Sequence, residues 1–365
     1  METVLEEGLP VEAAHTWPRL GRRRFGLVAL AIGLGVLFLL SISLGSVRIP
    51  VADVVTILTG GEPAKATWAD IVLKFRLPKA ITATLAGAAL AVAGLQMQTL
   101  FRNPLADPYV LGISAGAGLG VALVVLLAGA SGVAFLAGLG TWGDFGIALA
   151  ASLGAALVLL LVIAVARRVS NSMTLLILGL MFGYITGAVV SVLLYFSAAE
   201  RIQSYILWTF GTFGTVTWGQ MKIFAPSLLL ALAAAGLMAK PLNALLLGET
   251  YARSMGLPVV RTRNLIIGSA AVLAGVVTAF CGPIAFLGIA VPHLCRSLFD
   301  TSDHRLLLPS VMLMGAVLAL AADLIAYMPG SQITLPLNAV TALIGAPVVI
   351  WVILRQRNLQ RTFTS

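Results

Sequence analysis

Few side chains in this 365-residue chain have a type and setting that suit chemistry. Asp323 lies in the apolar run Leu320-Ala321-Ala322-Asp323. A carboxylate there is paired, bonded to a helix terminus, or a carrier of protons or ions. Its place near the outer end of a span favours a terminus bond or snorkelling. The histidines at 15, 293 and 304 have no Cys or acid at ligand spacing, so no metal site is expected. His293 follows Pro292 at a helix end, where a capping role fits, whereas Asp303 and His304 read as solvated. Cys281 and Cys295 sit in apolar segments and read as buried thiols rather than a disulfide framework. No Gly-Lys dipeptide occurs, which excludes the phosphate-cradling G-x-x-x-x-G-K-[ST] loop. There is also no H-E-x-x-H and no convincing pair of intramembrane acids. Neither an enzyme nor a cofactor site is expected.

The elements that position these residues are membrane spans. Hydrophobic residues make up 59% and charged residues 10% of the chain, whereas soluble domains are about 25% charged. With apolar runs of about 20 residues, the length accommodates about ten spans and no separate soluble domain. The sequence therefore predicts an all-α polytopic protein: a tail over 1–24, a transmembrane region over 25–355 and a second tail over 356–365. Spans are expected near 25–44, 78–100, 110–127, 146–166, 173–196, 223–239, 265–281, a short eighth ending near Pro292–Arg296, then 307–327 and 337–354. The outer stretch from Glu200 to Gln220, with Trp208 and Trp218, reads as interfacial. Counting Lys and Arg by assigned side puts 16 within and 7 outside, so both termini are expected inside. The net charge of +9 is scattered between apolar runs, with no basic stripe suited to nucleic acid.

One polar interval stands out, Lys240–Asn264, between two long apolar segments. Pro241 suits a first helical turn, Leu242, Leu245 and Leu246 share a face, and Glu249 and Arg253 form an i,i+4 pair of the favourable order. Gly256 followed by Pro258 stops the helix. The pattern predicts a short amphipathic helix lying along the inner membrane face, available to a soluble partner.

Small residues recur every four positions at Ala83, Gly87 and Ala91, at Gly112, Gly116 and Gly120, and at Gly179, Gly183 and Gly187. This spacing lets helix backbones approach closely in lipid. For the last set the alternative is the smooth wall of a wide conduit.

At Arg102-Asn103-Pro104-Leu105-Ala106-Asp107-Pro108-Tyr109-Val110-Leu111-Gly112 the chain resembles the FecCD-like permeases of type II ABC importers, which carry iron-siderophores, haem or vitamin B12. The likeness continues through Ile113–Gly120, Gly282–Gly288 with Val291-Pro292-His293, Asp303-His304-Arg305, Ala322-Asp323 and Gly345-Ala346-Pro347. It covers residues 45 to 355, roughly. The resemblance implies ten helices per subunit, a homodimer with the conduit between two copies, a separate ATP-binding cassette ATPase dimer, and a periplasmic substrate-binding protein. It implies an inner-membrane location and an ATPase dock at Leu242–Gly256, with Leu245, Leu246, Gly248, Glu249, Arg253 and Gly256 in the contact. It assigns Gly179, Gly183 and Gly187 to the translocation path, and Arg102, Asn103, Pro104, Asp107 and Pro108 to a cytoplasmic loop motif. The family's outer Arg-Leu-Pro-Arg pattern, which binds the receptor protein, reads here as Arg76-Leu77-Pro78-Lys79. A family Arg four residues after the ninth-span Asp is replaced by Tyr327. Among cargoes, an iron chelate (siderophore or haem) is the commoner family assignment and vitamin B12 the alternative. A proton-driven carrier using Asp323, or a scaffold without transport, would be the competing classes.

Overall fold

The computed structural model describes residues 17–127, 143–166, 172–330 and 333–362. The N-terminal tail up to residue 16 and the Arg167-Arg168 turn lie outside that set. Among the described residues the architecture is all-helical. In chain order the helices are α1 Trp17–Ser43, α2 Val51–Leu58, α3 Ala66–Asp70, α4 Leu77–Phe101, α5 Ile113–Ala122, α6 Gly143–Ala166, α7 Ser172–Tyr195 and α8 Ala199–Thr209. They continue as α9 Trp218–Leu237, α10 Ala239–Leu246, α11 Glu249–Ser254, α12 Val259–Cys281, α13 Leu287–Phe299, α14 His304–Ala326 and α15 Leu337–Thr362. Seven of the helical stretches are long and apolar enough to cross a membrane, and three shorter apolar ones cover Ile113–Leu126, Leu287–Phe299 and Leu337–Trp351. Together they account for the ten spans expected from the sequence.

The centre of the bundle is α4, which packs against α9, α12, α13 and α14. Its sequence explains why: Ala80, Ala83, Ala86, Gly87, Ala88, Ala89, Ala91, Ala93 and Gly94 are buried on every side of the helix, and a helix buried all round belongs in a core. A Cβ at Gly87 would overlap the Gly315 carbonyl of α14, and one at Gly94 would overlap the Gly288 carbonyl of α13. The contacts are thus backbone against backbone. The same device joins α5 to α6, where a Cβ at Gly116 would stand 2.5 Å from the Gly154 carbonyl oxygen. Gly112 also abuts Val158 of α6, 3.0 Å from where its Cβ would stand, but from outside the helix. It has φ 76° and ends a 3₁₀ turn, Pro108–Leu111, so the third span begins at Ile113 rather than Val110.

Upstream, α3 runs through a π-helical turn, Ile71–Arg76, directly into α4. The interval between the first two expected spans therefore contains helix at Val51–Leu58 and Ala66–Asp70. The α9 N-terminus is a capping box, with the Thr217 hydroxyl accepting from Gln220 N and the Gln220 side chain accepting from Thr217 N. Val259 starts α12 six residues before the expected boundary, which places Arg261 and Arg263 on the helix.

Candidate coupling segment and translocation path

Between α9 and α12 the chain forms two short helices, where the sequence pattern suggested one. The break is at Gly248, whose φ of 104° and ψ of 154° suit glycine and bar an α-helical continuation. Before it, α10 buries Leu242 and Leu245 toward α4 and α14, with Leu246 half-buried beside them. After it, Glu249 and Arg253 stand in the first and last turns of α11, where their charges suit the helix dipole. Gly256, at φ 83°, closes α11, and Leu257 N donates to Ala252 O at 3.0 Å. The signal for the break was present: a glycine directly before an acidic helix start.

The two helices turn an apolar row outward. Leu247, Tyr251 and Met255 are 62%, 53% and 51% exposed. Beside them is an open groove of about 790 Å³ lined by Arg253, Leu257, Val260, Arg261, Asn264 and Leu265. Sequence reasoning named the polar members of this surface and missed Leu247 and Tyr251, which carry its apolar area. The groove edge also meets the loop motif: a Cβ at Gly248 would lie 3.4 Å from Arg102 Nη1.

That motif is a folded cap more than an open loop. Arg102 ends α4 in the left-handed region at φ 47°. The Asn103 side-chain oxygen accepts from Leu105 N at 2.9 Å, and Pro104 O meets His293 Nε2 at 2.8 Å. His293 lies inside α13 rather than at a helix end, and its buried ring holds this loop by a carbonyl instead of capping a helix. Asp107 and Pro108 are buried; the Asp107 carboxylate accepts from Tyr109 N at 2.8 Å and so starts the 3₁₀ turn. Burial pushes its pKa up to about 6, against the opposing pull of that hydrogen bond.

The solvated reading holds for Asp303 and fails for His304. Asp303 is exposed and caps α14, accepting from Arg305 N at 2.9 Å. That bond and a second from Asn243 hold its carboxyl below the usual range. His304 is only 1% exposed. It is buried because its ring lies between Asn243 of α10 and Thr99 of α4. Neither Asn243 nor Thr99 was legible as functional: Thr99 follows Gln96 and Gln98 and Asn243 follows Lys240, with nothing in either pattern to single it out.

The three glycines assigned to the path are unequal. Gly179 is closed: a Cβ there would stand 2.5 Å from Val110 O and 2.8 Å from Leu111 Cα. Gly183 has only Ala115 Cβ, at 4.0 Å, and Gly187 has nothing within 4 Å. One side of α7 therefore packs through Leu175, Gly179, Thr186 and Val190, while Gly187, Ala188 and Ser191 face open space.

Arg76 and Lys79, expected at a receptor contact, are turned inward, with Arg76 8% exposed and the Lys79 side chain 13% exposed. Arg76 Nη1 donates to Ile42 O and Ser43 O at 2.8 Å each, and Nη2 donates to Val47 O. It caps the carbonyl end of α1. Lys79 Nζ lies 2.9 Å from Asp323 Oδ2, with side chains 13% and 2% exposed. The same Nζ sits 3.2 Å from the centroid of the Tyr327 ring. Asp323 is accordingly an ion-paired residue, and Tyr327 completes its cation's cage.

A ten-span bundle of this kind, with an exposed apolar segment between its sixth and seventh spans, is a multi-pass membrane transport subunit. Comparison with known proteins narrows the class. The model of the FecCD transport family matches residues 33–355. A Klebsiella pneumoniae protein named vitamin B12 import system permease protein BtuC is 39% identical over 345 residues, covering 94% of this chain and 97% of that one. The protein of the same name from Salmonella typhimurium is 39% identical over 284 residues, 78% and 83% of the two chains. A structure described as an inward-facing conformation of a metal-chelate type ABC transporter superposes with a TM-score of 0.78 at 27% identity, over 90% of this chain and 98% of the other. The chain belongs to the FecCD transport family, and it is a membrane-spanning permease of an ABC importer.

Proposed function

We propose that two copies of this chain form the path for a corrinoid such as vitamin B12, driven by a separate ATPase dimer and fed by a soluble receptor protein. Support for the cargo comes from relatives 39% identical over nearly the whole chain that are named vitamin B12 permeases. The iron-chelate preference drawn from family frequency gives way to that likeness. The α7 face around Gly187, Ala188 and Ser191 suits a bulky cargo, because small side chains leave room and bind weakly. Both termini lie inside the cell, in an inner membrane, in keeping with the distribution of Lys and Arg.

The observation that carries the energy coupling is the exposed row Leu247, Tyr251 and Met255, an apolar surface on a segment too polar to enter lipid. ATP-driven closure of the partner would pull on α10 and α11 and rock the bundles. The site has no phosphate loop of its own, so hydrolysis belongs to the partner.

Reconstitution with the cognate ATPase and receptor protein tests both parts. ATP-dependent accumulation of radiolabelled cyanocobalamin, in preference to ferric siderophore or haem, is expected. Preferential uptake of an iron chelate overturns the cargo assignment. Tyr251→Asp is expected to abolish ATPase association without loss of membrane insertion; full association overturns the dock.

A further inference from the structure

The hydrogen bonds around Asn243 join three elements that carry different parts of the machine. Asn243 Nδ2 donates to Asp303 Oδ1 at 2.6 Å, while its Oδ1 accepts from the backbone N–H of His304 at 2.8 Å and from ring Nδ1 at 2.8 Å. With the proton on Nδ1, ring Nε2 is left to accept from the Thr99 hydroxyl at 2.8 Å. One amide of α10 is thereby fastened to the first turn of α14 and, through a buried imidazole, to the last turn of α4. These two helices are themselves joined at three levels. At the inner end the joint is Thr99–His304, midway it is the Gly87–Gly315 backbone contact, and at the outer end it is the Lys79–Asp323 ion pair. Beyond the ion pair, the Tyr327 hydroxyl and Thr212 Oγ1 both lie beside Gly214, 3.0 and 3.5 Å from where its Cβ would stand, on the outer loop that follows α8.

We propose that α4 and α14 move as one strut, and that Asn243 is the positioning residue through which displacement of the coupling segment enters it and reaches the outer loop at Thr212–Gly214. The inference rests on the coupling role proposed above for α10 and α11. Its logic is mechanical. Leu242 and Leu245 slide against their neighbours at little cost because dispersion contacts are non-directional. The amide at 243 makes three directional bonds that do not tolerate sliding. Removing them leaves α10 packed but unfastened, and a push from the partner is then absorbed at the α10–α14 contact.

The test uses the complete importer in nanodiscs with its ATPase and receptor protein. A nitroxide is placed at Ser204→Cys on exposed α8; Cys281 and Cys295 are buried and stay unlabelled. In the otherwise unaltered protein, ATP with vanadate is expected to shift the label-to-label distance across the two copies. Asn243→Ala is expected to lose that shift and to lower cyanocobalamin uptake per ATP hydrolysed at least tenfold. Asn243→Asp alone is expected to fail, because two carboxylates then face each other. Asn243→Asp combined with Asp303→Asn is expected to recover both readouts in part: the amide at 303 turns its nitrogen to the new carboxylate, while Arg305 N loses its acceptor, because Asp303 Oδ1 had served both bonds. Retention of the distance shift in Asn243→Ala, a parallel fall of hydrolysis and uptake, or failure of the double variant overturns the inference. Absence of ATPase binding by the unaltered permease instead overturns the coupling reading on which it rests.

Discussion

Lys79→Met removes the cationic partner of Asp323, a carboxylate that is 2% exposed. Across 2.9 Å, at an effective dielectric of about 20, the gross attraction is about 6 kcal/mol, most of it offset by the desolvation both groups suffer. The loss felt on removing one partner is larger than the pair's net worth, because Asp323 is left buried and uncompensated. Such truncations cost about 3–5 kcal/mol, and the lost contact with the Tyr327 ring adds about 1 kcal/mol. The purified permease in detergent is therefore expected to show an apparent melting midpoint several degrees lower by intrinsic fluorescence. Adding Asp323→Asn to Lys79→Met removes the stranded charge and is expected to restore most of that loss, with ATP-driven uptake preserved. Asp323→Asn alone should fall between, since the Tyr327 ring still shields the ammonium. A double variant as unstable as Lys79→Met refutes the ion-pair reasoning. A stable double variant without uptake revives Asp323 as an ion carrier.

Other consequences are equally measurable. Gly94→Ala drives a methyl group into the Gly288 carbonyl, so it should cost about 3 kcal/mol or prevent folding, whereas Gly187→Ala, with open space around it, should leave the melting midpoint unchanged. Asp107 ionises near 4 when unfolded and near 6 when folded, so the native state loses stability as pH rises between those values and bears the full penalty above them. Asp107→Asn is accordingly expected to stabilise the permease at pH 7.5 by something on the order of 3 kcal/mol, with no gain at pH 4; equal effects at both values would contradict the burial of that carboxyl. Arg76→Ala uncovers three carbonyl oxygens at the end of α1 and should lower thermal stability, yet leave receptor-protein affinity of the folded fraction unaltered in a binding titration.

The spans were legible because a lipid-crossing helix must be long and apolar, and both properties are local. The packing role of Gly87 and Gly116 was also readable, from the four-residue interval alone. What escaped was set by contacts distant in sequence. His304 looked solvated beside Asp303 and Arg305, yet Thr99, 205 positions earlier, closes over its ring. Arg76 and Lys79 looked like an outward basic pair, yet the ends of α1 and α14 consume them. Gly179, Gly183 and Gly187 have one spacing and three environments, since the 3₁₀ turn at Pro108–Leu111 abuts only the first. The helix break at Gly248 is a local feature that periodicity overlooked, because the flanking Leu and Arg residues keep a helical rhythm on both sides of it.

The run of small side chains in the middle of α4 has a bearing on how the molecule is made. This helix is less apolar than α1 or α6, so lipid alone holds it less firmly, while its grooves are shaped for Gly288 and Gly315, which leave the ribosome some two hundred residues later. Biogenesis must keep an early, incomplete hub waiting beside the insertion machinery until late segments enclose it. Truncated chains ending before α13 should therefore be the ones that membrane quality-control proteases clear.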